Sequence, residues 1–359
     1  MAWIGLRDRK QTLFDARGLG PDRDRAVIDE RRGLTRGTLI IETETSASSR
    51  PLPLLRFQGA GGLGLHLHAM PGGGLVFVLA QGHSVQHCAF DTAQEGRSDK
   101  LFLSFSWDIE EGIGRFLVEQ EERSGLQSAT LNPEVPLSLV DLSALFSDGG
   151  DVVMSEDVVF AALSDRVEPI GPMPTLAGLV PVRTPDGYKP VGSLKRGDLV
   201  STVDGHIVPV LHRVTRTVPA VGRFAPVRLR APFFGLKGDL VTGSDQRLVI
   251  RGSEVEYLFG HEAVLVPARH LASAPVGHPL ALPDLVTYSQ ILLPDHEVID
   301  AVGTAIESLF IGRIRRKPKL LKMSALADFE RATLPDHARK VYPVLGAFDA
   351  MVLAEHRAA

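Results

Sequence analysis

The amino-acid sequence predicts a mainly β protein with an N-terminal β-sandwich of jelly-roll type, a second all-β domain and a short helical tail. Its 359 residues suffice for two domains, each with its own hydrophobic core. The 35 glycines and 24 prolines, together with few stretches of helical period, favour short strands joined by many turns. Between residues 184 and 210, three turn signals alternate with short apolar runs, which is typical of a compact β meander.

The bulk composition is ordinary for a soluble protein, with 44% hydrophobic residues, 23% charged residues and a net charge of -4. A nucleic-acid partner is not expected, because such proteins are usually basic. No run approaches the ~18 apolar residues that a membrane span requires. The first residues have no apolar core between their charges, so a cytoplasmic location is the default, although export without a signal would leave no trace in the sequence.

Taken in order, the first half of the chain divides into three segments. Residues 1–36 alternate Arg with Asp, which predicts a solvated, weakly ordered segment with one short helix. Residues 37–148 show repeated period-two alternation with turns between, as a two-sheet sandwich requires. Residues 149–174 are predicted to be a linker that holds one strand candidate, 158–163, and ends in a proline-rich stretch.

Histidines in the sandwich allow two interpretations. His66 and His68 share one face of a predicted strand, and His83 and His87 lie close to Cys88. A metal site would need such a pair, but no Asp or Glu accompanies them at ligand spacing, so a polar face is favoured and no metal or cofactor is expected. Cys88 is the only cysteine, which excludes an internal disulfide.

Carbohydrate binding by the sandwich is a further hypothesis, and it rests on the predicted shape alone. Lectins of jelly-roll type usually hold calcium through carboxylate and asparagine ligands. Asn132 is the only asparagine in the chain. The partner of the sandwich, protein or glycan, is therefore left open.

The second half of the chain contains four sequence blocks in a recognisable order. They are Thr184-Pro185-Asp186-Gly187 with Leu194-x-x-Gly197-Asp198-x-Val200; Asp239 to Arg247; Val255 to Gly260 with Val264 to Leu271; and Tyr288 to Val298 with Gly303 and Glu307-Ser308. Over residues 175–312 this order resembles the Hint domain, the fold of inteins and of Hedgehog autoprocessing domains. The likeness is greatest to bacterial Hedgehog/intein-type proteins.

The resemblance implies a particular chemistry. In this family a cysteine or serine that opens the domain attacks the carbonyl before it, and a histidine in the second block polarises that bond and protonates the leaving nitrogen. At family spacing the nucleophile position falls at Thr175 and the histidine position at Gln246. A threonine hydroxyl needs a base beside it, and an amide cannot shuttle protons.

Two hypotheses follow for this domain. The favoured one is a non-catalytic binding or assembly module with a degenerate autoprocessing site. The alternative is autocatalytic peptide-bond cleavage, in which Thr175 makes an N–O acyl shift. Thr242 or Asp245 would then give hydrogen-bond support, and His296 would act as general acid. Splicing would need a terminal His-Asn pair, and no asparagine follows Asn132.

Residues 313–359 are predicted to form a basic linker and a helical tail. The charge run from Arg313 to Lys322 could be an anionic-membrane or nucleic-acid patch, but a solvated linker is favoured because Pro318 interrupts it and no aromatic residue interleaves. Residues 324–357 suggest one or two short helices, with Leu326, Phe329 and Leu334 on an apolar stripe.

Overall fold

The computed structural model describes residues 3–20, 33–45, 49–92, 99–120, 126–148, 151–271, 277–279 and 284–358. The chain divides into two compact units, Met1–Glu168 and Pro169–Ala359. Within the described residues, no helix has the length and apolar character that crossing a membrane would demand.

The first unit is a β-sandwich. Its strands are β1 (Trp3–Asp8), β2 (Thr12–Phe14), β3 (Arg36–Thr45), β4 (Leu52–Gln58), β5 (Leu63–Met70), β6 (Gly74–Gln81), β7 (Ser84–Asp91), β8 (Asp99–Asp108), β9 (Ile113–Gln120), β10 (Leu126–Thr130), β11 (Val152–Met154) and β12 (Val158–Ser164), with helix α1 at Leu139–Leu145. A seven-stranded sheet has the order β10-β9-β8-β3-β12-β1-β2, and a five-stranded sheet has the order β11-β4-β5-β6-β7.

Alternation along the strands builds the core between these two sheets. In β6, for example, Leu75, Phe77 and Leu79 are buried while the residues between them are partly exposed. Phe77 stacks on Phe116 of the opposite sheet with ring centroids 4.5 Å apart. The buried indole of Trp107 donates a hydrogen bond to the Leu34 carbonyl at 3.0 Å, which satisfies the one polar atom of that side chain. The predicted sandwich is thus confirmed.

The ends of this unit differ from the sequence-based expectation. Strands β1 and β2 lie where a weakly ordered charged segment is predicted, because Trp3, Ile4 and Leu6 are completely buried and hold β1 in the sheet. The strand predicted inside the linker exists as β12, but it pairs with both β1 and β3 and so lies within the seven-stranded sheet. Burial of these apolar residues outweighs the surrounding charges, which can remain at the surface.

The second unit is built from short strands in two six-stranded sheets and one hairpin. Its strands are β13 (Leu176–Ala177), β14 (Pro181–Thr184), β15 (Gly187–Pro190), β16 (Leu199–Ser201), β17 (Ile207–Pro209), β18 (His212–Pro219), β19 (Pro226–Leu229), β20 (Leu240–Gly243), β21 (Arg247–Arg251), β22 (Ala263–Pro267), β23 (Gly277–Pro279), β24 (Leu285–Leu292), β25 (Val298–Ala301) and β26 (Thr304–Glu307). Helices are α2 (Ser253–Phe259), α3 (Ala268–Leu271), α4 (Pro318–Lys322) and α5 (Ala347–Ala358).

The sheet order of the second unit places the first strand in the middle. One six-stranded sheet runs β18-β24-β13-β20-β19-β23, the other runs β15-β14-β25-β26-β21-β22, and β16 pairs with β17. The predicted turn Asp186-Gly187 joins β14 to β15, with Gly187 at a φ of 110° that a side chain would strain. Because β13 is only two residues long and has a neighbour on each side, the chain just before it is surrounded by β20 and β24.

The C-terminal tail belongs to the core of the second unit. Ile314 and Leu321 of the predicted basic linker are buried, and they pack with Val214 and Leu292 in one cluster. Two members of the predicted apolar stripe, Leu326 and Leu334, are buried in the same cluster, with Phe329 against it. The apolar residues of this segment are buried and most of its basic side chains are exposed. The segment therefore packs on the second unit and is not a solvated linker.

Candidate functional site

Thr175 lies immediately before β13, in the interior of the second unit. Only 8% of the residue is exposed. Its carbonyl oxygen accepts a hydrogen bond from the Gly243 amide at 2.6 Å and another from the Thr242 hydroxyl at 2.8 Å. Thr242 therefore fixes the backbone of Thr175 and does not contact its hydroxyl group.

Two glutamine side chains surround the polar atoms of Thr175. Its hydroxyl oxygen is 2.6 Å from Oε1 of Gln246 and 2.9 Å from Oε1 of Gln290. Its backbone N–H donates to the same Gln290 oxygen at 3.1 Å. A hydroxyl carries one proton, so it can donate to only one of the two amide oxygens at a time. Both oxygens are acceptors of negligible basicity, and neither can remove that proton.

The two glutamines are held by each other and by the backbone. Gln290 Nε2 donates to Gln246 Oε1 at 3.1 Å and to the Glu307 carbonyl at 3.0 Å. Gln246 Nε2 donates to the Arg247 carbonyl at 3.0 Å and to the Glu307 carbonyl at 3.3 Å. Each amide nitrogen faces acceptors, and each amide oxygen faces donors, so the network itself fixes the orientation of both side chains. A buried polar network of this kind is stable because its members satisfy one another.

His296 is connected to Thr175 only indirectly, through Glu307 and Gln246. Its side chain is 1% exposed, and Nδ1 accepts a hydrogen bond from the Val341 amide at 3.1 Å. A neutral ring that accepts at Nδ1 carries its proton on Nε2. Nε2 lies 3.2 Å from a Glu307 carboxylate oxygen, a contact of ion-pair distance that lacks hydrogen-bond angles. Glu307 in turn receives Nη1 of Arg247 at 2.9 and 3.1 Å.

Residues 337–341 of the tail cover His296. His337 is buried, accepts from the Ile311 amide at Nδ1 and lies 3.1 Å from the Leu293 carbonyl at Nε2. Burial lowers the pKa of His337 and keeps its ring neutral. The Phe310 ring lies 4.9 Å from the His296 ring and 6.0 Å from the His337 ring. The tail thus determines which nitrogen of His296 carries the proton and shields the ring from solvent.

Asp245 is directed at two arginines, Arg223 in the turn Gly222–Phe224 and Arg269 in α3. It contacts Arg223 at 3.4 Å and forms an ion pair with Arg269. Burial opposes ionisation of Asp245, but the positive charges of Arg223 and Arg269 outweigh this effect and lower its pKa. An ionised carboxylate held in this way stabilises the loop before β21 through its contacts with Arg223 and Arg269.

Of the five site residues proposed from the sequence, the structure brings Thr175, Thr242 and Gln246 into direct contact. It connects His296 to them through Glu307, and it turns Asp245 toward the arginines. Sequence reasoning missed Gln290 and Glu307 as site residues, although both occur in the last of the family blocks. A polar residue next to apolar ones, Gln290 before Ile291-Leu292 and Glu307 after Ile306, was the available signal. Contact with Val341, from far along the chain, had no such signal.

The histidines of the sandwich lie mainly on the outer face of the five-stranded sheet. The rings of His66 and His68 stack with centroids 6.4 Å apart, while Cys88 is buried on the opposite face of β7 from His87. Among the described residues, no group of three or more His, Cys, Asp and Glu side chains could hold a metal ion. Burial raises the pKa of the Cys88 thiol to about 12, so it is inert at neutral pH.

Part of the second unit matches a known protein family. Residues 177–313 match the family model described as the Hint domain. The second unit therefore contains a Hint domain. Thr175 lies two residues before the matched Hint segment, and the tail that covers His296 lies beyond its end. The match agrees with the resemblance seen in the four sequence blocks.

Solved structures give only distant likenesses. The CBM40 of Ruminococcus gnavus IT-sialidase bound to alpha2,3 sialyllactose is 13% identical, with 46% of this chain and 90% of that chain covered and a TM-score of 0.26. The MchDnaB-1 intein is 17% identical, with 37% and 98% covered and a TM-score of 0.23. Toad ovary galectin in complex with thio-digalactose is 11% identical, with 36% and 82% covered and a TM-score of 0.20. TM-scores this low support no conclusion about function, and no curated protein matches the chain.

Proposed function

We propose that the Hint domain of this protein is an inactive scaffold and that the chain acts as a non-catalytic binding or assembly module for a protein or glycan partner. One observation carries the proposal. The hydroxyl of Thr175 faces two glutamine amide oxygens, at 2.6 and 2.9 Å, in the place where self-cleavage would need a base. Acyl transfer by a threonine hydroxyl requires such a base within hydrogen-bond reach.

The leaving nitrogen presents the same difficulty. Cleavage of the Pro174–Thr175 bond would need a proton donor at the Thr175 nitrogen. That N–H instead donates to Gln290 Oε1 at 3.1 Å, and an amide oxygen has no proton to give. The reaction would have to change the bonds of the Thr175 hydroxyl oxygen and of the Thr175 nitrogen. Both atoms are held by hydrogen bonds to glutamine oxygens, which favours the intact chain.

The intact mass of the freshly purified chain tests the proposal. We expect a single species of 38.8 kDa that resists both hydroxylamine and a thiol, because no ester intermediate forms. Two fragments joined at Pro174–Thr175 in the parent chain would contradict the proposal, provided that Thr175→Ala abolishes them. Cleavage that persists in Thr175→Ala would come from a contaminating protease.

Self-cleavage through Thr175 is the alternative that the same experiment decides. Its support is the connection from Thr175 through Gln246 to the carbonyl of Glu307, whose carboxylate lies 3.2 Å from His296. For His296 to act as general acid, its Nε2 proton would have to turn from Glu307 toward the Thr175 nitrogen. In that case His296→Ala would abolish fragment formation, with Asp245→Asn as a control directed at the arginines.

Glycan binding by the sandwich is a second candidate, and one surface feature favours it. Strand register aligns Arg56, His66, Val78 and His87 in one row across β4 to β7 on the outer face of the five-stranded sheet. Imidazole and guanidinium groups on an open sheet face can donate hydrogen bonds to sugar hydroxyls. A glycan array with and without calcium tests this, and hits lost in Arg56→Ala would support it. An array without hits under both conditions would remove the candidate.

A further inference from the structure

A cleft in the second unit, away from Thr175, is lined by three arginines. Its volume is about 750 Å³, and it lies between the turn Ile314–Arg316 and the turn Arg331–Thr333. The lining residues are Arg315, Arg316, Glu330, Arg331 and Ala332. Three guanidinium groups against one carboxylate leave the lining with two positive charges in excess.

The arginines are held in place by backbone carbonyls. Nη1 of Arg315 donates to the Leu334 carbonyl at 3.0 Å, and Nε of Arg331 donates to the Arg315 carbonyl at 2.7 Å. A neutral carbonyl positions a guanidinium without cancelling its charge, and each group has further N–H donors. Arg316 differs because it forms an ion pair with Asp336 and is 61% exposed.

The walls of the cleft are fixed by the core beneath them. Ile314 and Leu334, which adjoin the lining arginines, are 3% and 1% exposed and belong to one hydrophobic cluster. Side chains anchored on rigid backbone lose less freedom when they bind a ligand. The cleft is therefore formed before any ligand arrives.

The surrounding charge favours an anion. Residues 313–322 contain six basic side chains and no acidic one, in a chain whose net charge is -4. Such a local excess raises the concentration of anions at the surface. Asp336 pairs with Arg316 and Glu330 lines the cleft, so two carboxylates offset only part of this charge.

We propose that this cleft binds a small ligand with two or more linked phosphate groups. Guanidinium groups bind phosphate oxygens through paired hydrogen bonds, which a set of three can offer to more than one phosphate. The volume falls within the range of small-molecule sites, about 300–1,000 Å³, and exceeds the needs of a single phosphate ion. A nucleic acid or an anionic membrane would use the same charges, and these are outcomes of the test.

Isothermal titration of the full-length chain with inorganic pyrophosphate tests the site. We expect one binding event per chain that Arg331→Gln weakens about 10- to 100-fold, since hydrogen bonds to a charged group are lost. Lys322→Gln removes one positive charge from the basic segment 313–322 at a position outside the cleft lining, and the affinity of this variant should stay within about twofold of the wild type.

Three results would overturn the proposal. They are the absence of binding by the wild-type chain, equal weakening by Arg331→Gln and Lys322→Gln, and binding only to vesicles with anionic lipid or to single-stranded RNA. Circular dichroism checks that each variant is folded. If Arg331→Gln unfolds, Arg316→Gln replaces it, because that side chain is largely exposed and lines the same cleft.

Discussion

Replacing Thr175 with cysteine and Gln246 with histidine should make the Hint domain cleave itself. In the structure Thr175 Oγ1 and Gln246 Oε1 are 2.6 Å apart, so an imidazole at position 246 falls within reach of a thiol at position 175. A small fraction of thiol groups is ionised near neutral pH. A neighbouring imidazole can remove the proton from the remainder. The double variant Thr175→Cys/Gln246→His thus supplies both groups that the site lacks.

The size of the effect can be compared with the cost to the fold. A positioned general acid–base contributes about 10²- to 10⁴-fold in rate, or about 3–5 kcal/mol of barrier. Gln246 makes four side-chain hydrogen bonds, to Thr175, Gln290, Arg247 and Glu307. At about 1 kcal/mol net for each, their loss costs about 4 kcal/mol, which lies below the usual 5–15 kcal/mol of domain stability. We therefore expect the variant to be destabilised but folded.

Mass spectrometry after incubation with a thiol provides the assay. The double variant should give two fragments at the Pro174–Thr175 junction, and their yield should rise with thiol concentration, because the thiol intercepts the thioester. Thr175→Cys alone should cleave about 10²- to 10⁴-fold more slowly, because the position-246 side chain remains an amide. Thr175→Ala/Gln246→His carries the same second substitution without a nucleophile and should stay intact.

A folded double variant that remains whole would refute this reasoning. It would mean that the peptide bond before Thr175 is held in a geometry that no nucleophile at 175 can attack. Loss of the two groups would then not be the reason for inactivity. If Thr175→Ala/Gln246→His is cleaved at the same rate as the double variant, a contaminating protease is responsible, and the cleavage is not evidence for the reasoning.

Two further predictions concern stability in the second unit. Leu353→Ala should lower the free energy of unfolding by about 2–5 kcal/mol, because that side chain of α5 is buried in the hydrophobic core of the second unit. Met351→Ala, at an exposed position of the same helix, should change it by less than about 0.5 kcal/mol. Urea unfolding measures both free energies. Burial lowers the pKa of His337, so below its unfolded value near 6.5 the unfolded chain binds a proton that the folded chain does not. As the pH is lowered from about 6.5 to the pKa of the folded chain, the free energy of unfolding should fall by about 1.4 kcal/mol per pH unit. The fall should be shallower in His337→Gln. Equal slopes in wild type and His337→Gln would show that the ring titrates alike in both states.

Periodicity in the sequence predicted the sandwich well where strands alternate and poorly where they do not. Strands β5 and β8 alternate in the sequence, β6 is an apolar run that follows a turn, and each occurs where it is predicted. Strand β1 was missed because its run Trp3-Ile4-Gly5-Leu6 is short and lies among charges. Local patterns report which residues can be buried, but one partner of β1, strand β12, comes from a distant part of the chain.

The candidate site was predictable to the extent that it follows the order of family blocks. Thr175, Thr242 and Gln246 were identified by spacing, and they do meet. The orientation of a side chain does not follow from spacing, and Asp245, next to Gln246, points to Arg223 and Arg269. The tail contacts could not be predicted, because Val341 meets His296 through its backbone amide, which every non-proline residue carries.

Hydrogen bonding by itself is enough to keep the interior around Thr175 polar. Removing Gln290 alone would leave the Thr175 amide without its acceptor in the interior, and a buried group of this kind costs about 1–3 kcal/mol. Removing Glu307 would leave Arg247 without its carboxylate beside a buried imidazole. Because each side chain satisfies the others, single changes are costly even when no reaction takes place. Stability is therefore a sufficient reason for the polar centre of this Hint domain, and its polarity by itself is no sign of catalysis.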